Sequence, residues 1–373
     1  MLIKAGFEVS FEFPGATPML LQLHVHPERE ADLLAPENIV LSPGVPYETY
    51  IDLFGNRCTR LVAPQGRLTF SNLFTIRDSG IQDTWPWGAR QAPVNELPHD
   101  VIVFLLGSRY CDTELLATQA WALFGNIEGG WPRVQAILEY SHKRITFGYK
   151  HARPDRTAAQ AHSEQVGVCR DYAHLAITLC RCMNIPARYC TGYLGDIGVP
   201  PDTAAMDFSA WFEVYLEGRW HTVDARHNAP RIGRILMARG RDATDAAIST
   251  AFGSSKLVQF KVITDEIPGG QVRRASWHGR QDQRNQQGCR QRQCTCRNDA
   301  GALFRALAGP GSRRNAAFPA SRRTGIFPDE MKAEHQDAGH GDGDAAELEE
   351  RGQPRRREEK HDIVLEAPAS GRR

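Results

Sequence analysis

No apolar run in the 373-residue chain approaches the roughly 20 residues that a membrane helix requires. The opening residues, Met1-Leu-Ile-Lys-Ala-Gly-Phe-Glu-Val-Ser-Phe-Glu-Phe13, alternate like a strand and lack a signal peptide's apolar centre. A cytoplasmic protein without membrane association is the expectation. A formal net charge of +1 excludes a global basic field for nucleic acid. Nine cysteines, an odd number without short-domain spacing, argue for reduced thiols over a disulfide framework. Neither a phosphate-binding glycine loop nor an EF-hand calcium loop is present, so no cofactor is expected.

Up to about residue 105, alternating runs read as β structure: Val9–Phe13, Leu20–His26, Glu48–Phe54 and Arg67–Ser71. Turn signals at Phe13-Pro-Gly15, Ser42-Pro-Gly44, Phe54-Gly-Asn56 and Pro64-Gln-Gly66 separate them, the spacing of a sandwich. His24 and His26 share a strand face but have no third ligand in sight, so packed or solvated histidines are expected rather than a metal site. Helical periodicity follows over Thr113–Phe124 and Trp131–Tyr140, divided by Gly129-Gly130. After strand-like Ile145–Tyr149 and a polar loop, a helix runs from Cys169 and stops at Asn184, ahead of Ile185-Pro186. Strands are predicted at Ala187–Leu194, Ser209–Leu216 and Arg219–Asp224, the last two joined by a Glu217-Gly218 hairpin turn. A final strand, Leu257–Ile263, is expected to close that sheet. Three regions result: a β-rich part over 1–108, an α+β core over 109–267, and a tail over 268–373.

In the tail Ile, Leu and Val become sparse, so it cannot bury enough apolar surface to offset its chain entropy and is expected to be disordered. The abrupt shift also resembles out-of-frame translation of a GC-rich gene; a clean reading frame beyond codon 265 would remove that hypothesis. Cys289, Cys294 and Cys296 match no standard zinc spacing, and the Arg-rich stretches are interspersed with acids, as in a solvated tail.

Cys169 occupies the first turn of its predicted helix, within Gly167-Val-Cys-Arg-Asp-Tyr-Ala-His-Leu-Ala176. Free N–H groups and the positive dipole end there favour a thiolate, which makes Cys169 a candidate nucleophile. A buried structural thiol is the competing reading. Asp171 reads as a charge favouring the helix dipole, and Cys180, Cys182 and Cys190 as core thiols.

The run from Trp131 to Phe260 resembles the bacterial transglutaminase-like family, through Arg156-Thr-Ala, Gly167–Ala176, Asn184-Ile-Pro-Ala-Arg-Tyr189, Gly192-Tyr-Leu, Ala210–Leu216, Gly218-Arg-Trp, Asp224 and Gly240-Arg-Asp242. Tyr50–Asn56 is similar to a motif of the β-rich domain that often precedes it. The resemblance implies a papain-like core in which a Cys–His–Asp triad performs acyl transfer on peptide or side-chain amides. It places the nucleophile at Cys169 and the orienting acid at Asp224, but the expected histidine position, just before Ala210-Trp211, is Ser209.

With a two-residue hairpin, Leu216 pairs with Arg219 and Ser209 with Arg226, which makes Ser209 and Asp224 diagonal neighbours on one face. Serine is no base near neutral pH. Among substitutes, His221 has the wrong parity, His174 lies about 140° around the helix from Cys169, and His162 sits in the polar approach. His227, in a loop three residues after Asp224, is the tentative base. The expectation is a thiol enzyme acting on peptide or protein amides, more by hydrolysis than by cross-linking. The rival is a weak or inactive papain-like module that binds a peptide or protein partner. Missing general acid–base groups typically cost about 10²–10⁴-fold in rate, which is what Ser209 puts at stake.

Overall fold

The computed structural model describes residues 1–202 and 206–269. Two four-stranded antiparallel sheets form the β-rich part. One runs in the order Lys256–Glu266, Leu2–Phe13, Gly66–Arg77, Val40–Ser42; the other runs Ser249–Ala251, Thr17–Leu21, Arg57–Ala63, Tyr47–Ile51. Alternation along each strand sends Phe7, Phe11, Phe70 and Ile76 from the first sheet and Met19, Leu21 and Leu61 from the second into one core.

The strand near residue 260 forms, but not where it was expected. It pairs with Leu2–Phe13, from Ile3 opposite Glu266 to Glu12 opposite Lys256, so the chain returns to the sandwich after its helical stretch. The papain-like sheet takes Ile235–Gly240 as its fourth strand instead, in the order Arg219–Val223, Ser209–Leu216, Ala187–Tyr193, Ile235–Gly240.

Glu217 and Gly218 both adopt positive φ, 48° and 78°, the paired left-handed conformation of a tight hairpin whose twist matches the strands. The predicted register follows, with Leu216 opposite Arg219 and Phe212 opposite Val223. It ends there. Asp224 begins a turn closed by the Asn228 N–H donating to the Asp224 carbonyl at 2.9 Å, so Arg226 never reaches the ladder position opposite Ser209.

The Cys169–Cys182 helix is buried on every side from Arg170 onward. It packs on the Ser209–Leu216 and Ala187–Tyr193 strands and against the Thr113–Phe124, Trp131–Arg144 and Ala158–Glu164 helices. Its polar side chains are buried because they find partners, Asp171 in Arg156 and Arg181 in the Ala187 and Leu106 carbonyls, while Leu175, Leu179, Ile137, Phe212 and Val214 fill the shared core. Asn184 ends the helix in the left-handed region at φ 59°.

The sandwich and the papain-like sheet are stitched by backbone-like contacts. Fully buried Asn56 accepts from the Arg239 N–H at 2.8 Å and donates to the Arg239 carbonyl at 2.7 Å. Asp52 holds the Asn56 loop by accepting its N–H at 2.9 Å. This is the physical content of the Tyr50–Asn56 motif: a loop that docks on a sheet edge as a strand would. Tyr193 and Phe208 carry the aromatic packing across, with ring centroids 5.1 Å apart and Phe74 at 5.6 Å from Tyr193. Burying a side chain such as Phe208 is worth about 1.5–3 kcal/mol, and here it also anchors the segment that leads into Ser209.

No helix among the described residues is long and apolar enough to cross a membrane. The tail and Cys289, Cys294 and Cys296 lie outside the described residues.

Candidate active site

Cys169 stands at the first turn of its helix, half-buried, on the wall of a cavity of about 330 Å³. The helix start is fixed by Asp171, whose carboxylate accepts the Val168 N–H at 2.8 Å and the Arg156 guanidinium at 3.1 Å. A Cβ on Gly167 would lie 2.6 Å from that carboxylate, so glycine is required for the cap to close. Asp171 thus serves the helix start, and Arg156 of the Arg156-Thr-Ala motif serves Asp171.

The cavity has a largely apolar wall that the two parts of the fold build jointly. Leu20, Ile248 and Phe252 come from the sandwich side, and Tyr149, Tyr189, Phe208 and Ala210 from the papain-like side. Ser209 lines the same cavity, so Cys169 and the expected histidine position do meet. The Ser209 hydroxyl is buried and makes no hydrogen bond. No histidine is found among the described residues lining the cavity, nor do Asp224 and His227 line it.

Those two residues meet each other. His227 Nδ1 lies 2.8 Å from Asp224 Oδ2, and the His227 backbone N–H donates to Asp224 Oδ1 at 3.0 Å. Arg234 donates to the same Asp224 Oδ2 at 2.9 Å and to Asp83 at 2.8 Å. Burial alone would raise the Asp224 carboxyl, but Arg234 and His227 outweigh it and hold the group far below the usual carboxylate range.

The thiol is in the opposite condition. Burial pushes Cys169 up to about 11; the Arg226 guanidinium and the Ala210 N–H pull it down, while Asp207 and Asp171 push it further up. Enclosure is the largest influence on the thiol and opposes the thiolate that a helix N-terminus favours. Arg226 stacks over the Phe147 ring at 3.8 Å and supplies the cation beside the sulfur. A guanidinium stabilises negative charge but cannot take a proton.

The other histidines considered from the sequence are engaged elsewhere. His162 Nε2 sits 2.6 Å from the Tyr140 hydroxyl. His174 stacks on Tyr110 at 5.0 Å and accepts the Ala243 N–H through Nε2 at 3.1 Å, and burial lowers its imidazole to about 3. His221 Nε2 lies 3.2 Å from the Leu216 carbonyl. His24 and His26 are both buried beyond the end of the Thr17–Leu21 strand, His24 within 3.0 Å of the Thr59 hydroxyl. No group of three or more His, Cys, Asp or Glu that could hold a metal exists among the described residues. Cys180, Cys182 and Cys190 are buried free thiols.

Two residues that act on the Cys169 thiol, Asp207 and Arg226, have no signal in the sequence that would place them there. Asp207 sits two residues before the expected histidine, and its proximity depends on how the approach to the strand bends. Strand parity puts Arg226 on the ladder, whereas it lies in the turn that Asp224 begins.

Comparison with known proteins agrees with this architecture. The transglutaminase-like superfamily model matches residues 123–225. The crystal structure of a candidate cysteine protease from Cytophaga hutchinsonii is similar at 30% identity, covering 71% of this chain and 90% of that one, with a TM-score of 0.62. An uncharacterized protein of Mycobacterium leprae is 35% identical over 83 residues, which are 22% of this chain and 30% of that relative's length. The periplasmic domain of TgpA from Pseudomonas aeruginosa aligns at 18% identity over 60% of this chain and 90% of that one, with a TM-score of 0.27, too low to argue from. The fold has a papain-like, transglutaminase-like core, and the chain belongs to the transglutaminase-like superfamily.

Proposed function

We propose that the protein is a cofactor-independent thiol enzyme that opens peptide or side-chain amide bonds through Cys169, hydrolysing rather than cross-linking. The observation carrying this reading is the placement of the Cys169 sulfur: at a helix start, in a cavity, with the Ala210 N–H directed at it and the Arg226 cation beside it. These features stabilise negative charge on or near sulfur as an acyl carbon is attacked. The resemblance to the Cytophaga hutchinsonii candidate protease supports the hydrolytic direction. The walls formed by Leu20, Ile248, Phe208 and Phe252 favour an apolar segment beside the bond to be cut.

Within this reading Asp224 and His227 form a hydrogen-bonded pair that holds the turn after the Arg219–Val223 strand, and neither of them lines the Cys169 cavity. The test is turnover of chromogenic peptide amides carrying apolar residues, with Cys169→Ala as control. Turnover lost in Cys169→Ala supports the proposal, and equal turnover in both proteins contradicts it.

A second reading, a papain-like module that binds a peptide without cutting it, is favoured by one observation: Ser209 occupies the histidine position and presents an unpartnered hydroxyl. Peptide retention by both wild type and Cys169→Ala, without turnover in either, would establish it.

A further inference from the structure

The cavity that holds Cys169 contains one carboxylate among the described residues that line it, Asp207. It is half-buried, on the segment clamped by Phe208 between Tyr193 and Phe7, whose ring centroids lie 5.1 and 6.1 Å from that of Phe208. Cys169 and Tyr149 line the cavity with it, and the charges of Asp207, Cys169, Tyr149 and Arg226, the last from the turn after the Arg219–Val223 strand, act on one another. Arg109 and Arg170 line the same cavity. We propose that Asp207 is the proton acceptor for Cys169, a carboxylate working in the cavity where the family pattern would place an imidazole.

The chemistry fits the surroundings. Burial raises the Asp207 carboxyl to about 6, against the pull of the Phe208 N–H and of Arg226, so it is ionised at neutral pH yet basic enough to take a proton. The other titratable groups around the sulfur are unsuited to it. A guanidinium such as that of Arg226 cannot take a proton; the Asp171 carboxylate is engaged by the Val168 N–H, Arg156 and Arg170; and burial pushes the Tyr149 phenol up to about 12 and that of Tyr189 well above the usual range.

In the step, the Cys169 sulfur bonds to the acyl carbon, the carbonyl π pair moves onto oxygen, and the thiol proton passes to the Asp207 carboxylate. Collapse of the intermediate breaks the C–N bond, and the departing amine takes that proton. Water then attacks the thioester and gives a proton to Asp207. As the C–S bond breaks, that proton returns to sulfur. Each bond and proton is accounted for without an oxidant or a second reactant beyond water.

This inference rests on the thiol-enzyme reading, so its experiment isolates the first half-reaction. Acylation of Cys169 by p-nitrophenyl acetate, followed as a stoichiometric burst of p-nitrophenolate, needs no knowledge of the natural substrate. Wild type is expected to show a burst rate that rises as pH increases through about 6, then levels until thiolate forms near 11. Asp207→Asn should slow the burst at pH 7.5 by about 10²-fold, the low end for a general base, and abolish the limb near 6. Asp207→Glu should restore part of both.

Iodoacetamide alkylation separates this from mere loss of a charge. Removing the negative neighbour should make the thiol ionise more easily, so Asp207→Asn should alkylate faster while acylating slower. It also reports that the variant's site is folded. An unchanged or faster burst in Asp207→Asn overturns the proposal, as does a wild-type burst no larger than that of Cys169→Ala. A normal burst without peptide-amide turnover would instead overturn the hydrolase reading and leave Asp207's role intact.

Discussion

Asp224 and Cys169 are both chemically demanding groups enclosed by the same fold, and the fold treats them in opposite ways. Asp224 is met by Arg234 and His227 at hydrogen-bond distance, and its charge is held firmly. Cys169 is met by mostly apolar walls, in a cavity that also holds the Asp207 carboxylate, and its charge is suppressed. Burial is common to both; partners make the difference. A satisfied ionic cluster serves stability and orientation, whereas an enclosed group left short of partners is where reactivity is stored.

The largest effect should come from breaking the satisfied side. Asp224→Asn leaves Arg234 sharing only Asp83 and should cost about 3–5 kcal/mol in urea unfolding, the range for removing one member of a buried ion pair. A loss under about 1 kcal/mol, typical of exposed pairs, would show that the cluster is solvated. Its pH dependence has a definite sign. The folded carboxyl lies below its unfolded value, so the contribution is complete above about 4 and lost as pH falls below that, toward the folded value.

Ser209→His sharpens the comparison from the reactive side. It puts an imidazole into the Cys169 cavity and should raise peptide-amide kcat/KM by up to about 10²-fold. An unchanged rate would argue that the cleft does not perform this chemistry. Smaller still, Arg226→Gln removes the cation beside sulfur and its stack on Phe147. It should cost about 0.5–1 kcal/mol of stability and move the midpoint of Cys169 alkylation to higher pH. A downward movement would contradict the role given to Arg226.

Much of this was legible in the chain. The Thr113–Phe124 helix, the Glu217-Gly218 hairpin and the stop at Asn184 follow from local periodicity and turn chemistry, which tertiary contacts do not override here. The Ala158–Glu164 helix falls in a stretch whose polar composition suggests a loop, although its start is signalled: Thr157 and Gln160 form a reciprocal cap at the spacing of a capping box. The return of Lys256–Glu266 to the sandwich could not be read, because strand patterns do not name their partners and the pairing spans most of the chain. At the site, the resemblance names Cys169 and Ser209 as neighbouring positions, and both line one cavity. Asp207 was invisible because a carboxylate's proximity to sulfur depends on how Phe208 is packed, not on any spacing along the sequence.

The central claim is that Cys169 rests as a protonated thiol and depends on a neighbour to remove its proton during attack. The direct measurement is the pH dependence of Cys169 alkylation by iodoacetamide, with Cys169→Ala identifying the site. A half-rate pH near 11 is the predicted result. A half-rate pH well below the free-thiol value of about 8.5 would contradict it and place a resting thiolate at the helix start.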